Sequence, residues 1–282
     1  MLKKIREFIE HFLGFMGDIF RERRVIFQLA KNELVSRFAG SYLGIFWAIV
    51  QPIVSIFIYW FVFEKGLKSP PIVTNNGEPV PYLLWLIAGI VPWFFISEAS
   101  IMASSSLMDF RHLVKQVYFR VSVLPVVKVL SAYFVHLIFL GVMLIIFACY
   151  GTGFSLYTFQ IIYYSLCAFM LVLFVSWFTS AISLFFKDML SIVNIVIQVG
   201  FWATPIVWQY QTMLGDTPWL STILKLNPAF YVVEGFRDSL IYNIGIWERP
   251  NNLIFFWGVM LLLLLLGTYT FKRLRPHFAD VI

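Results

Sequence analysis

From Val129 to Phe186 the chain carries no Asp, Glu, Lys or Arg, a run of 58 residues interrupted by one histidine, His136. A helix crosses the hydrocarbon core of a bilayer in roughly 20 residues. The run is too long for one crossing and suits two joined by a turn, which Gly151-Thr152-Gly153 supplies. The same alternation of apolar stretches and polar breaks predicts six spans, at about 42–63, 82–105, 123–149, 161–186, 190–210 and 253–271. The chain therefore reads as an all-α polytopic membrane protein, with a cytoplasmic segment over 1–41 and a membrane domain over 42–282.

Two stretches outside the spans are not plain loops. Residues 19–38 predict a helix whose stripe of Phe20, Phe27, Ala30, Leu34 and Phe38 opposes Arg21, Arg24, Gln28 and Asn32. A helix of that kind lies along the cytoplasmic membrane surface; an ordinary basic anchor is the simpler reading. Residues 211–252 are too long for a simple connection and too polar to cross. Within them, Leu220 to Asn243 forms two short apolar helical pieces broken at Asn227-Pro228. Pieces this short dip into the outer leaflet or lie on it more often than they cross.

Composition agrees with the pattern. Apolar residues are 60% of the chain and charged residues 13%, far from the balance of a soluble domain. The 31 Phe, 13 Tyr and 10 Trp exceed what interfacial aromatic belts alone would absorb. The charged first forty residues lead straight into a full span, so no cleavable leader is expected. Orientation follows from the Lys and Arg count. Lys3, Lys4, Arg6, Arg21, Arg23, Arg24, Lys31 and Arg37 share a side with Arg111, Lys115, Arg120, Lys187, Lys272, Arg273 and Arg275. Lys65, Lys68, Lys225, Arg237 and Arg249 fall on the other. Both termini are therefore expected in the cytoplasm, and the net charge of +6 is a topology signal that calls for no nucleic acid.

Catalytic chemistry is hard to place. His11, His112, His136 and His277 lie far apart, and no carboxylate pair or nucleophile elbow occurs, so no catalytic residue or metal ligand is assigned. Cys149 and Cys167 read as unpaired thiols near the outer ends of neighbouring spans, a disulfide being the alternative. His136 alone is deep in the bilayer, either as a functional group or as a neutral ring bonded across helices. Glu98 approaches the cytoplasmic interface, and Lys128 at the same level is placed to snorkel. No GxxxxGK[ST] pattern is present, so ATP-driven work would need a separate ATPase chain.

A pathway is the remaining chemistry. Span 1 carries Trp47, Gln51, Ser55 and Tyr59 at four-residue steps, and span 5 carries Ser191, Asn194, Gln198 and Trp202 on one face. Span 2 repeats the pattern more weakly through Trp93, Ser97 and Ser104. Polar groups at membrane depth must face protein or water. Two readings stay open: hydrogen bonding between helices, or the lining of a channel whose rings stack on sugars, lipids or drugs.

"ELVSRFAGSYLGIFWAIVQP" (Glu33 to Pro52), "AGIVPWFFISEA" (Ala88 to Ala99), "LVKQVYFRVSVLP" (Leu113 to Pro125), "FWATPIVW" (Phe201 to Trp208), "LKLNPAFYVVEGFRDSLI" (Leu224 to Ile241) and the terminal "RPHFADVI" carry a resemblance. Together they resemble the permease subunits of ABC-2 type polysaccharide exporters, which export O-antigen and wall teichoic acid chains. The likeness covers nearly the whole chain in order. It departs at Arg120, where the family often has Pro after the Phe.

That resemblance implies a transport subunit and not an enzyme: a homodimer of six-span chains with two copies of a separate nucleotide-binding ATPase. The partner would bind ATP and Mg, with no cofactor in this chain. Residues 19–38 would be the interface helix, and residues 109–120 a coupling segment docking on the ATPase through Asp109, Arg111, His112 and Lys115. The pieces over 211–243 would be external re-entrant helices, with Asn227, Pro228, Glu234 and Arg237 in their motif. Glu234 and Arg237 are three apart, a functional pair or a weak surface one. The expected cargo is polysaccharide on a polyprenyl diphosphate lipid, drawn by Arg21, Arg23 and Arg24 as cationic clusters draw anionic headgroups. It would pass a channel lined by spans 1 and 5 through Trp47, Gln51, Ser55, Tyr59, Asn194, Gln198 and Trp202, with Trp93 of span 2. The expected location is a bacterial plasma membrane, amid membrane lipids. An ABC-2 exporter of drugs or simple lipids is the alternative, and a membrane-embedded glycan-modifying enzyme a more distant one. A secondary transporter would show inverted repeats, and none is seen.

Overall fold

The computed structural model describes residues 17, 20–74, 77, 79–115, 119–210 and 218–281. Residue 19 of the expected interface helix, residues 116–118 of the expected coupling segment and residues 211–217 lie outside the described ones, as does the side chain of Gln51. Among the described residues the regular structure is helical apart from one hairpin of two-residue strands, in which β1 (Ile72–Val73) pairs antiparallel with β2 (Pro79–Val80) and Ile72 faces Val80.

A surface helix comes first, α1 (Arg23–Arg37). Next are α2 (Trp47–Trp60), which widens into a π-helical end over Phe61–Gly66, and α3 (Tyr82–Ser104). Two short turns of helix, α4 (Ser106–Asp109) and α5 (Arg111–Val114), lead to α6 (Val123–Cys149). After the Gly151 turn follow α7 (Gln160–Ser183) and α8 (Met189–Ala203). Two shorter helices, α9 (Pro218–Lys225) and α10 (Pro228–Arg237), precede α11 (Pro250–Leu274) and the terminal α12 (Phe278–Val281).

Among the described residues, five helices are long and apolar enough to cross a membrane: Trp47–Gly66, Tyr82–Ser104, Val123–Cys149, Leu156–Ser183 and Pro250–His277. This is a multi-pass membrane protein. The expected fifth span stops early, because α8 has 15 residues and its helix ends at Thr204, which adopts extended backbone. At about 1.5 Å per residue it is shorter than a full crossing, so the six-span count rests on this helix and its non-helical continuation.

The helix ends have local causes. Thr152 Oγ1 donates to the Phe147 carbonyl at 2.6 Å and closes α6, as the Gly151 turn predicts. Pro228 and Pro250 begin α10 and α11, where a missing N–H costs nothing. The core forms around α3, which packs on α6, α7 and α10 and is buried along most of its length. Where α3 meets α7 the contact is made by small hydroxyl residues: Ser104 and Thr179 hydroxyls lie 2.8 Å apart, and Ser183 Oγ donates to the Ser104 carbonyl at 2.6 Å. Such side chains let membrane helices approach closely. By contrast, among the described residues none of α2 is buried, and on α8 only Val193 is.

Candidate functional site

Three regions carry the polar groups that a pathway or a partner would use. At one end of the spans, α1 docks on α6 with Ile26 and Ala30 buried. The expected stripe divides: Ala30 is buried and Leu34 and Phe38 are half-buried, while Phe20 is 72% exposed and Phe27 56%. The inward face also carries Ile26, with Glu33 reaching Lys128 of α6 and Arg37 reaching Glu98 of α3. Phe27 keeps an edge contact with Phe134, ring centroids 5.5 Å apart. Arg21, Arg23 and Arg24 are exposed.

Lys128 is also corrected. Instead of reaching outward, its ammonium is buried between Glu33 Oε1 at 2.5 Å and Asp109 Oδ2 at 2.8 Å. A cation held away from water needs paired charge, and both carboxylates supply it. Glu98 pairs with Arg37, and Arg120 stands 3.9 Å from Glu22. In the 105–115 segment Arg111, His112 and Lys115 are exposed, while Val114 is buried.

At the opposite end, Arg237 is fully buried, so its pair with Glu234 is not a surface one. Its Nη1 donates to Glu234 Oε1 at 2.7 Å and to the Pro205 carbonyl at 2.7 Å, and Nη2 donates to the Ile206 carbonyl at 2.8 Å. Tyr82 reaches the same break in the chain, its hydroxyl donating to the Val207 carbonyl at 2.7 Å. Carbonyls left without helical partners after α8 are thus satisfied by side chains. Asn227 caps α10 by accepting from the Ala229 N–H at 3.0 Å, and its Nδ2 donates to Thr204 Oγ1 at 2.7 Å. Asp238 lies 3.0 Å from Arg249, which ties α10 to the start of α11. Burial pushes the Asp238 carboxyl up to about 7, against the opposing pull of Arg249.

The third region is the uncovered side formed by α2 and α8. Trp47, Ser191, Asn194, Gln198 and Trp202 are exposed, Ser55 and Tyr59 half-buried. Tyr59 stacks on Phe201 at 5.8 Å, bringing the two helices together. Asn194 donates only to its own helix, at the Leu190 carbonyl (2.9 Å). Trp93 is elsewhere: it is buried between α3 and α8, its ring 6.1 Å from that of Phe201. His136 is enclosed as well, with Nε2 3.1 Å from Ser165 Oγ and its ring stacked on Phe95, a contact between helices. Both cysteines are free thiols.

The model of the ABC-2 type transporter family matches residues 24–241. The chain belongs to that family. The matched segment runs from α1 to the turn after α10 and so takes in most of all three regions. Two relatives share 24% identity each. One is the O-antigen export system permease protein RfbA of Myxococcus xanthus, aligned over 94% of this chain and 98% of its own length. The other is the protein of the same name from Klebsiella pneumoniae, over 96% and 97%. As an ABC-2 transporter the chain is a membrane transport protein, not an enzyme in its own right.

Several residues of these ABC-2 regions were not singled out in the sequence. Glu33 and Trp85 are contact partners of Lys128 and Arg237, and Asp238 and Arg249 pair with each other. The signal for Glu33 was its place three residues after Ala30, on the face of α1 that carries Ile26. For Lys128 it was the default that an ionisable residue inside a span has a partner.

Proposed function

We propose that the chain is the permease subunit of an ATP-driven exporter of polysaccharide carried on a polyprenyl diphosphate lipid, acting as a homodimer in a bacterial plasma membrane with both termini cytoplasmic. The observation that carries the reading is the uncovered face of α2 and α8. Asn194 and Gln198 are exposed there beside Trp47 and Trp202, and polar groups at membrane depth must meet protein or water. A second copy set against this face would enclose a path with rings for sugar C–H faces and amides for hydroxyls. The names of the two relatives, both O-antigen export permeases, support a glycan cargo.

In this reading α8 and the turn after it make the fifth of six crossings, α9 and α10 are re-entrant and cap the exit, and residues 1–41 form the cytoplasmic segment before the membrane domain. Arg21, Arg23 and Arg24, exposed on α1, would attract the diphosphate. Two copies of a separate ATPase, binding ATP and Mg, would dock on the 109–120 segment through Asp109, Arg111, His112 and Lys115. Closure of the ATPase would then alternate access to the path. Depletion of the protein tests this, with long-chain glycan measured at the cell surface and inside on its lipid carrier. Surface loss with internal accumulation supports export. Unchanged surface glycan removes the glycan cargo and leaves lipids or drugs.

A further inference from the structure

Lys128 carries a buried charge that the transport reading does not use. Its side chain is 7% exposed, and its two partners belong to separate elements: Glu33 to α1, Asp109 to the end of α4. Both elements pack on α6, and Lys128 reaches from α6 to both. Asp109 is fixed further by the Ser105 hydroxyl, which donates to it at 2.9 Å. The ammonium also stands 5.1 Å from the centroid of Phe110, the residue between α4 and α5. Glu33 is mostly covered (17%) and Asp109 is 44% exposed, so the triad leads from the surface of the 105–115 segment, through a buried cation, to the interface helix.

The other ion pairs of α1 are differently placed. Glu22 with Arg120 and Arg37 with Glu98 are each about one third exposed, where solvent weakens them. Attraction between charges grows, and salt screening fades, where water is excluded. The Lys128 triad is therefore the stiffest electrostatic link between α1 and the segment before α6. Its charges are unequal, two carboxylates to one ammonium. Losing Lys128 sets the carboxylates against each other, whereas neutralising Glu33 leaves a one-to-one pair with Asp109.

We propose that Lys128 is a positioning residue of the transport cycle. It makes the 105–115 segment and α1 move as one body, so that a push on the segment reaches the cytoplasmic mouth of the path. The proposal rests on the reading of residues 109–120, which overlap that segment, as the ATPase docking site.

The test uses the full complex of the chain with its ATPase, with ATP hydrolysis measured in lipid nanodiscs and surface glycan in depleted cells. Glu33→Gln alters no residue of the docking segment. The complex carrying it is expected to assemble and hydrolyse ATP at the wild-type rate, yet restore only about one tenth of the surface glycan, the scale of losing a charge-assisted hydrogen bond. Lys128→Arg, able to span both carboxylates with its fork, is expected to restore glycan fully. Wild-type glycan from Glu33→Gln overturns the proposal. So does loss of assembly or hydrolysis in step with export, which marks the triad as a structural contact alone. A wild-type chain that brings down no ATPase, or restores no glycan, overturns the reading beneath the proposal and is recognised before any variant is made.

Discussion

The guanidinium of Arg237 lies over the indole ring of Trp85, 3.4 Å from its centroid, with no solvent exposure. A cation held against an aromatic face in a dry site gains more than at a surface. The same group bonds Glu234 and the Pro205 and Ile206 carbonyls, so one side chain joins α10, the start of α3 and the break after α8. Arg237→Met leaves the Glu234 carboxylate buried and unpaired and is expected to cost about 3–5 kcal/mol. Lysine restores the charge but not the planar fork, so Arg237→Lys should recover only part. Thermal unfolding of the purified protein in detergent measures both; a wild-type midpoint for Arg237→Met would remove Arg237 as the organiser of this end.

Gly89 makes room for that guanidinium. A Cβ built on Gly89 would stand 2.5 Å from Arg237 Nη2, closer than atoms approach. Arg237 is fixed on several sides and cannot swing away, so Gly89→Ala should cost about 1–3 kcal/mol. If the steric argument holds, combining it with Arg237→Met should cost less than the sum of the two single changes. Strict additivity in a double-mutant cycle would count against it.

Asn227 serves two elements, capping α10 and donating to Thr204 at the end of α8. Asn227→Ala is expected to lose about 1 kcal/mol as a cap and about 1 kcal/mol for the hydrogen bond. Asn227→Ser should keep most of the cap and lose the reach to Thr204. Chemical denaturation of the three proteins checks the order, wild type above Ser above Ala.

Asp238 gives a pH dependence of defined sign. Its folded carboxyl is raised by burial to about 7 from the ordinary value of 3.8. Between those values the folded protein holds a proton that the unfolded chain has released. Stability from this group is therefore full below about pH 4 and falls as pH rises toward 7. Asp238→Asn has no such proton, so wild type should lose stability relative to the variant across that interval. Melting curves from pH 4 to 8 test it, and a difference that stays flat would refute the assignment.

Trp47 and Trp202 are exposed on the side that α2 and α8 leave uncovered. Replacing either with Ala should lower surface glycan several-fold while the amount of assembled complex stays unchanged. Normal export by both variants would sink the aromatic lining, and parallel loss of assembly would point to a packing role at the proposed dimer contact.

The amino-acid sequence by itself determined the solvent, the edges of most spans and two of the breaks. The third span, Val123–Cys149, matches its expected bounds, and the Gly151 turn and the Asn227-Pro228 break fall where composition placed them. Partition into a bilayer adds up residue by residue along a short window, and glycine and proline act within their own turn, so these features are local. Tertiary structure alone decided the rest. Lys128 and Glu33 stand 95 positions apart, and Arg237 and the Trp85 carbonyl 152. No window of sequence brings such groups together. The docking face of α1 likewise depended on what α6 presents, which is why Ile26 is buried and Phe27 is not. α8 ends at residue 203 rather than 210 because Arg237, Tyr82 and Asn227 supply the partners that its broken backbone and Thr204 require. Burial of charge and of free carbonyls is settled by whichever groups arrive within about 3 Å, and only the folded chain brings them there.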